Sequence, residues 1–395
     1  MKNRLLIIIN CLLIFVISLF LVSCNDKNDE NDKNQETKVN TETIEKTVTP
    51  TIESPTKETT TPIEDLEFSA INVGEIDKFN EYLHLFGRPY YDNGRLVLDH
   101  SASGAEVKFY GSNLSVDLVA APATIILDVY IDGEFYNSVK VARNSTYKLA
   151  KDLEEKEHFV RFIKGASTAS GKILVSSINT DGVILKHDYE FKLSIEIIGD
   201  SITCGAGILV SNGENTTYTN SDVGKAYSYQ CISLLDADYS FVCTEGICAK
   251  ARNSVPMNSI EMYQVMSLNN RSSYDFNKHF DIVIINLGTN DASYILNNPS
   301  YANEFYDDYL ELITLVRSKN VDAEIICIYG HMGTYARVTN DIKKAVQTMN
   351  DNGDEKVHFF QVSSNNNGGG GHPDIEGGEK QGAELAQYIK NNILN

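Results

Sequence analysis

The pattern of apolar and polar positions divides the chain into successive parts. Residues 1–23 contain a mostly apolar run, and residues 24–66 carry almost no large apolar side chains. Residues 67–187 alternate apolar and polar positions in short runs between turn residues, and residues 188–395 alternate apolar runs with helical stretches. We therefore predict a signal peptide, a disordered tether, an antiparallel β-sandwich and an α/β domain, in that order.

The sandwich prediction rests on period-two alternation, in which every second side chain of a strand faces the buried core. Turn residues separate the runs, as in Gly111-Ser112-Asn113 and Asp132-Gly133. Short, evenly spaced strands with such turns are typical of a jelly-roll sandwich. The expected strands are Glu106–Tyr110, Leu114–Leu118, Ile125–Ile131 and His158–Ile163.

The alternation of strands and helices after residue 188 predicts a doubly wound parallel sheet. The expected strands are Ser194–Ile198, Tyr239–Cys243, Asp281–Leu287, Ala323–Tyr329 and Val357–Val362. The expected helices are Ala226–Leu235, Phe305–Lys319, Arg337–Asn350 and Glu379–Asn392. Because such sheets bind ligands beyond the carboxyl ends of their strands, the residues just after each strand are the candidates for chemistry.

The N-terminal run is predicted to be a lipoprotein signal peptide. Lys2 and Arg4 precede the apolar residues Leu5–Val22, and the run closes with Leu21-Val22-Ser23-Cys24. Cleavage before Cys24 would allow lipid to attach there, so we expect an extracellular, cell-surface protein anchored to the bacterial membrane through Cys24. The alternative interpretation is an uncleaved transmembrane helix.

Charge and composition restrict the classes of ligand and cofactor that the chain is expected to bind. The formal net charge of -20 disfavours nucleic acid, which would repel the chain. The chain has no Trp, so stacking on a sugar would use Tyr or Phe. The cysteines after Cys24 lack paired Cys-x-x-Cys spacing, so neither a metal site nor another cofactor is expected. A bridge from Cys243 to Cys248 and buried free thiols both fit the sequence.

Four chemically useful residues lie at or beyond the predicted strand ends. Ser201 ends Gly199-Asp200-Ser201, Gly246 follows the second strand, Asn290 follows the third, and His372 lies in a late loop. A serine hydroxyl beside a histidine can attack an acyl carbonyl, because the imidazole accepts its proton. Taken singly, the four could instead be a turn residue, a loop glycine, a helix cap and an unremarkable histidine.

Together, these residues in this order resemble the SGNH hydrolase superfamily, which has a flavodoxin-like fold. The resemblance implies that Ser201 is the nucleophile and His372 the base. It also implies an oxyanion hole made by the backbone N–H groups of Ser201 and Gly246 and the side-chain amide of Asn290. His331 also follows a strand, but the family places its base just before the C-terminal helix, as His372 is placed.

One position departs from the pattern of the superfamily. Many members carry an Asp three residues before the histidine, and here that position is Gly369. We therefore predict a Ser-His dyad in which another acceptor, such as a backbone carbonyl, holds the tautomer of His372. Asp374, just after the histidine, is a candidate for this orienting role.

A jelly-roll sandwich before an SGNH domain is similar to carbohydrate esterase family 2, the acetylxylan esterases. The similar segments are Leu85-Phe86-Gly87-Arg88, Gly104–Phe109, Gly111–Val116, Gly199–Gly205 and Ile285–Asp291. The resemblance implies a serine esterase that removes O-acetyl groups from xylan or glucomannan through an acetyl-Ser201 intermediate.

Two alternatives remain open. One is an SGNH esterase for another ester, such as a lipid, a small ester or an acetylated cell-wall glycan. The other is an inactive glycan-binding surface lipoprotein. The aromatic clamp of the family, often a Trp near the histidine, would here fall to Tyr218, Tyr227 or Tyr294.

Overall fold

The computed structural model describes residues 68–74, 81–252 and 255–394. The predicted signal peptide, the tether and Cys24 lie outside the described residues. The described residues fall within one unit, Ile63–Asn395. None of the helices among them is long and apolar enough to cross a membrane.

The first half is an antiparallel β-sandwich, as predicted. The strands are β1 (Phe68–Asn72), β2 (Leu83–Phe86), β3 (Tyr90–Asp92), β4 (Arg95–Leu98), β5 (Gly104–Gly111), β6 (Leu114–Pro122), β7 (Ile125–Ile131), β8 (Glu134–Val141), β9 (Ser145–Ala150), β10 (Lys156–Lys164) and β11 (Gly171–Leu185). Their main order is β3-β4-β11-β5-β10-β7-β8, with β1 and β6 paired to β11, β2 to β5 and β9 to β6. Alternation along β6 buries Leu114, Val116 and Leu118 and turns the intervening side chains outward.

The second half is a parallel sheet flanked by helices, and every strand predicted for it is present. The strands are β12 (Ser194–Gly199), β13 (Asp238–Cys243), β14 (Ile282–Asn286), β15 (Glu324–Tyr329) and β16 (Val357–Gln361). Their order, β13-β12-β14-β15-β16, is the flavodoxin-like one. The chain reverses its direction of winding between β12 and β14, so ligands are expected beyond the carboxyl ends of these two strands.

The described α-helices are α1 (Tyr227–Leu235), α2 (Ser259–Tyr263), α3 (Thr289–Asn297), α4 (Phe305–Lys319), α5 (Ala336–Asp351) and α6 (Ile375–Asn392). Of these, α2 and α3 were not predicted from the sequence. The short α2 is closed by a capping box between Asn258 and Glu261. Helix α3 begins directly after Gly288, so Thr289 and Asn290 lie in its first turn.

A buried ion pair joins the two halves. Arg88 follows β2 of the sandwich, and its Nη2 lies 3.0 Å from Oε1 of Glu196, in the middle of β12. The guanidinium also donates to the carbonyl of Tyr263 at 2.8 Å and lies 3.8 Å from the ring centroid of Tyr274. The sandwich therefore holds the strand that leads to Ser201.

A pair of buried carboxyl groups lies at the same junction. Asp128 of β7 faces Asp222 of the α/β half, and Ser138 donates a hydrogen bond to Asp128 at 2.6 Å. Burial, followed by the negative charge of Asp222, raises the pKa of Asp128 well above its ordinary value, and Lys225 opposes this rise. A protonated Asp128 can donate to Asp222, whereas an ionised one would repel it.

We predict that Asp128→Asn makes the fold less sensitive to alkaline pH. Because the pKa of Asp128 is raised in the folded state, its stabilising effect is complete below its ordinary pKa of 3.8 and is lost as pH rises toward the folded value. The amide keeps the donor to Asp222 at every pH. Thermal unfolding is measured from pH 4 to pH 9. The melting temperature of Asp128→Asn should rise relative to that of the native protein as pH increases, and each kcal/mol of difference in unfolding free energy corresponds to roughly 2–4 °C.

Asp117→Asn is the control of opposite sign. Hydrogen bonds from Ser177 and Thr146 lower the pKa of Asp117, so its contribution is present at neutral pH and is lost on acidification. If the melting temperatures of Asp128→Asn and the native protein change in parallel with pH, the hydrogen bond from a protonated Asp128 to Asp222 is refuted.

Candidate active site

Ser201 lies in the tight turn that follows β12. A Cβ at Gly199 would lie 2.0 Å from Thr203 Oγ1, so only glycine allows the chain to turn this closely. The turn is fixed by a hydrogen bond from Ile202 N–H to Asp200 Oδ1 at 3.0 Å and by another from Ala206 N–H to the Ser201 carbonyl at 2.9 Å. The Ser201 hydroxyl is thereby presented at the carboxyl edge of the sheet.

His372 lies within hydrogen-bond reach of this hydroxyl. Its Nε2 is 2.8 Å from Ser201 Oγ, and its Nδ1 is 3.0 Å from the carbonyl oxygen of Gly369. A carbonyl only accepts, so Nδ1 carries the proton and Nε2 is free to accept one from Ser201. Burial lowers the pKa of His372, and the Gly369 carbonyl opposes this shift. A neutral imidazole is the form that can serve as a base.

The structure corrects the candidate orienting role of Asp374. Its carboxylate caps α6, accepting from Gly377 N–H at 2.9 Å and from Asn365 Nδ2 at 3.0 Å, and both ring nitrogens of His372 have other partners. A carboxylate just before a helix satisfies the unpaired N–H groups of the first turn, and this competing role occupies Asp374.

His331, the other histidine after a strand, is fully buried against the ring of Tyr227, with 4.1 Å between ring centroids. Neither of its ring nitrogens has a hydrogen-bond partner among the described residues. Burial lowers its pKa to about 3. His331 is therefore a neutral packing residue here, and Nε2 of His372 is the ring nitrogen that meets the Ser201 hydroxyl.

The three proposed oxyanion donors differ in their present bonding. The backbone N–H groups of Ser201 and Gly246 make no hydrogen bond within the described part of the chain. Gly246 has a φ of 77°, a conformation that favours glycine. The Asn290 amide donates to Asp200 Oδ2 at 3.2 Å and to the Ile247 carbonyl at 3.0 Å. Asn290 thus ties the residue before Ser201 to the residue after Gly246, and one of its bonds must yield if it is to bind an oxyanion.

Two buried carboxyl groups that were not among the predicted site residues support these loops. Asp200 accepts from Ile202 and Asn290, and Asp291 accepts from Ala249 N–H at 3.1 Å. Burial raises the pKa of each to about 7. Their position inside the Gly-Asp-Ser and Gly-Thr-Asn-Asp motifs was the available signal, since a charged residue among small ones at a strand end is rarely left unpaired.

The loop after Ser201 holds the glycine run that precedes His372. Gly369 N–H donates to the Gly207 carbonyl at 2.8 Å, and Gly370 N–H donates to the Glu214 carbonyl at 2.9 Å. Thr216 Oγ1 donates at 3.2 Å to the Gly369 carbonyl, the same oxygen that accepts from His372. This contribution of Thr216 had no signal in the sequence, because it depends on how two distant loops pack.

No group of three or more His, Cys, Asp or Glu side chains in the described part of the chain is arranged to hold a metal ion. The sequence left open either a disulfide between Cys243 and Cys248 or buried free thiols, and the structure has free thiols. Cys204, Cys231, Cys243, Cys248 and Cys327 are all buried and unbridged.

The comparisons with known proteins agree with this architecture. Residues 85–186 match the carbohydrate esterase 2 N-terminal family, and residues 195–384 match the GDSL-like lipase/acylhydrolase family. The two matches meet at the junction of the sandwich and the parallel sheet. Together with the strand-end residues, they define an SGNH hydrolase with an N-terminal β-sandwich. Within that class, the chain is of the carbohydrate esterase family 2 type, since it carries that family's N-terminal domain.

Curated relatives and solved structures give the same picture. The chain is 28% identical over 309 residues to the cellulase/esterase CelE of Acetivibrio thermocellus, covering 74% of this chain but only 37% of that protein. It is 22% identical to an acetylxylan esterase/glucomannan deacetylase of Cellvibrio japonicus, covering 78% of this chain and 87% of that one. A family two carbohydrate esterase from Clostridium thermocellum, solved with cellohexaose, matches with a TM-score of 0.72 and 25% identity over 79% of this chain and 99% of that chain.

We predict that the acid limb of the pH profile lies below pH 6.5. Burial lowers the pKa of His372 from 6.5, so the imidazole stays neutral, and able to accept a proton, in more acidic solution. The measurement is kcat/KM for 4-nitrophenyl acetate from pH 4 to pH 9. Asp200→Asn is the control, because Asp200 also titrates near pH 7. A midpoint at or above 6.5 in both proteins would contradict this assignment.

Proposed function

We propose that this protein is a serine esterase that removes O-acetyl groups from plant cell-wall polysaccharide, such as xylan or glucomannan, through an acetyl-Ser201 intermediate. The observation that carries the proposal is the 2.8 Å hydrogen bond between Ser201 Oγ and His372 Nε2 at the carboxyl edge of the sheet. The relatives named as acetylxylan esterase/glucomannan deacetylase and cellulase/esterase support the choice of substrate.

In the first half of the reaction, Ser201 Oγ attacks the acetyl carbonyl carbon while His372 Nε2 takes the hydroxyl proton. The carbonyl oxygen becomes an oxyanion, which the N–H groups of Ser201 and Gly246 and the amide of Asn290 stabilise. The bond from the carbonyl carbon to the sugar oxygen then breaks. His372 returns its proton to that oxygen, so the sugar leaves as an alcohol and the acetyl group stays on Ser201.

In the second half, water attacks the acetyl-serine and His372 accepts the water proton. Collapse of this intermediate returns the proton to Ser201 Oγ and releases acetic acid, which ionises in solution. The imidazolium of each half-reaction is held by a neutral partner, the Gly369 carbonyl, which accepts from Nδ1 at 3.0 Å. That carbonyl fixes the tautomer without supplying a full negative charge.

We predict that Ser201→Ala lowers the release of acetate from acetylated xylan and glucomannan by at least about 1,000-fold, because the nucleophile is lost. Circular dichroism should show an unchanged fold, since the removed hydroxyl is at the edge of the sheet. Ser318→Ala, an exposed serine at the end of α4, is the control and should keep full activity.

Acyl chain length separates this function from its alternatives. An acetyl esterase should prefer 4-nitrophenyl acetate to the butyrate and longer esters. A preference for long chains would indicate a lipid substrate, and undiminished turnover by Ser201→Ala would refute the assignment of the nucleophile. Absence of turnover by the native protein would favour the inactive glycan-binding alternative.

We also propose that the mature protein begins at Cys24 and is anchored there by lipid on the outside of the bacterial membrane. The support is the sequence Leu21-Val22-Ser23-Cys24 at the end of an apolar run. On this proposal, residues 24–66 tether a sandwich at 67–187 and a catalytic domain at 188–395, which places the enzyme near extracellular polysaccharide.

Cys24→Ala tests the anchor. The native protein should fractionate with membranes and incorporate radiolabelled palmitate, whereas Cys24→Ala should not incorporate label. Cys204→Ala, which alters a buried thiol, is the matched control and should still be labelled. Equal labelling of the native protein and Cys24→Ala would overturn the proposal.

A further inference from the structure

A loop of the sandwich reaches the end of β13, the strand that leads to Gly246. Thr168 lies in this loop, residues 165–170 between β10 and β11, and its side chain is fully buried. Its Oγ1 donates to the carbonyl oxygen of Cys243, the last residue of β13, at 3.2 Å. A hydroxyl of the sandwich is therefore bonded to the backbone just before the turn that carries a proposed oxyanion donor.

That turn is held at its two ends. The Cys243 carbonyl at one end accepts from Thr168, and the Ile247 carbonyl at the other end accepts from Asn290 Nδ2 at 3.0 Å. Between them, the N–H group of Gly246 makes no hydrogen bond within the described part of the chain. The direction of this N–H group therefore depends on where the two ends of the turn are fixed.

A buried ammonium group fixes the loop that carries Thr168. Lys164 is fully buried, and its Nζ donates to the carbonyls of Asp99, Ala166 and Ser167 at 2.9, 3.1 and 2.7 Å. These three bonds use all the donors of the ammonium. Two of the three carbonyls lie directly before Thr168 in the chain, so Lys164 sets the backbone from which the threonine side chain projects.

The neighbouring histidine leaves the Thr168 proton to the Cys243 carbonyl. His100 Nε2 lies 2.9 Å from the Met266 carbonyl, which only accepts, so Nε2 carries the ring proton. Burial, followed by the positive charge of Arg88, lowers the pKa of His100 to about 4, so the ring is neutral near pH 7. Its Nδ1 is 3.4 Å from Thr168 Oγ1, farther than the Cys243 oxygen at 3.2 Å. The shorter contact takes the hydroxyl proton.

The same loop also supports the turn that carries Ser201. The Gly165 carbonyl accepts from Val223 N–H at 2.8 Å. The preceding residue, Asp222, donates its N–H to the carbonyl of Gly205, in the turn after β12, at 3.0 Å. One loop of the sandwich is thus connected to both backbone segments that supply N–H groups to the proposed oxyanion hole.

We propose that Thr168 is a positioning residue of the oxyanion hole, whose hydroxyl holds the end of β13 so that the Gly246 N–H points at the oxyanion. The inference rests on the proposed esterase function, because it concerns a donor to the tetrahedral intermediate. Such a donor is effective only when it is aimed at the place where negative charge develops. A shift of the end of β13 therefore weakens binding of the transition state more than binding of the substrate.

The first test compares Thr168→Val with Thr168→Ser. Valine has nearly the shape of threonine but no donor for the Cys243 carbonyl, whereas serine keeps the donor. Both half-reactions pass through an oxyanion, so Thr168→Val should lower kcat on 4-nitrophenyl acetate by about tenfold with KM within about twofold. Thr168→Ser should keep kcat within about twofold. Thr180→Val on β11 is the matched control and should keep the native kcat, since its hydroxyl donates at 2.8 Å to the Asn113 carbonyl inside the sandwich.

The second test uses methylboronic acid, a mimic of the tetrahedral intermediate. Its boron accepts an electron pair from Ser201 Oγ, whose proton passes to His372, and one boron-bound oxygen then occupies the oxyanion position. The inhibition constant should rise in Thr168→Val by about the factor by which kcat falls, because both depend on the same donors. Partial unfolding would lower the number of active sites without changing this constant. The inhibition constant of Thr180→Val should equal that of the native protein.

A native kcat in Thr168→Val, or an unchanged inhibition constant, would overturn the role of Thr168 while leaving the esterase intact. If the valine methyl group prevents folding, Thr168→Ala removes the same hydroxyl without added bulk and is interpreted in the same way. Failure of the native protein on every ester would instead refute the proposed function, and with it the role of Thr168.

Discussion

The buried ion pair of Arg88 and Glu196 is the constraint on which the relation between the two halves depends. Their side chains are 0% and 1% exposed, so both charges have left water. Desolvation of two such ions costs several kcal/mol each, which is returned only when the pair is close and its other hydrogen bonds are satisfied. The carbonyls of Tyr263 and Val265 accept from Nη1 of Arg88, and the ring of Tyr274 covers the guanidinium, while Nε has no hydrogen-bond partner among the described residues. Either charge alone would be strongly destabilising at this position, so the two halves need one another.

This dependence makes the sandwich part of the support of the active site. Glu196 lies in β12, five residues before Ser201, and Gly87 beside Arg88 donates to the Tyr239 carbonyl of β13 at 2.9 Å. The strands that lead to the nucleophile and to Gly246 are therefore both fixed by the segment that follows β2. A glutamate inside an apolar strand is unexpected when β12 is considered alone, and its partner 108 residues away explains it.

The strand-end residues were predictable because all parallel strands deliver their carboxyl ends to one edge of the sheet. That rule singled out the positions of Ser201, Gly246 and Asn290, whereas their roles and the choice of His372 as the base came from the resemblance to the SGNH superfamily. The role of Thr216 was not predictable, since its partner Gly369 lies 153 residues away and is reached only through loop packing. The motif positions of Asp200 and Asp291 indicated paired polar groups, but their distant partners Asn290 and Ala249 are also set by loop packing. Asp374 was misjudged because a carboxylate beside a histidine can equally cap a helix, and only the path of the loop separates the two roles.

The acceptor that orients the catalytic imidazole is a main-chain oxygen, and this changes how the site can be damaged. No side-chain substitution deletes the Gly369 carbonyl, so a residue-by-residue scan for a third catalytic member would find none. What can fail is the shape of the loop that carries Gly369. Three hydrogen bonds join it to the loop after Ser201: Gly369 N–H to the Gly207 carbonyl, Gly370 N–H to the Glu214 carbonyl, and Thr216 Oγ1 to the Gly369 carbonyl. The orientation of the base thus depends on backbone geometry. It is specified by the glycine residues that shape the loop, and no single acidic side chain is needed for it.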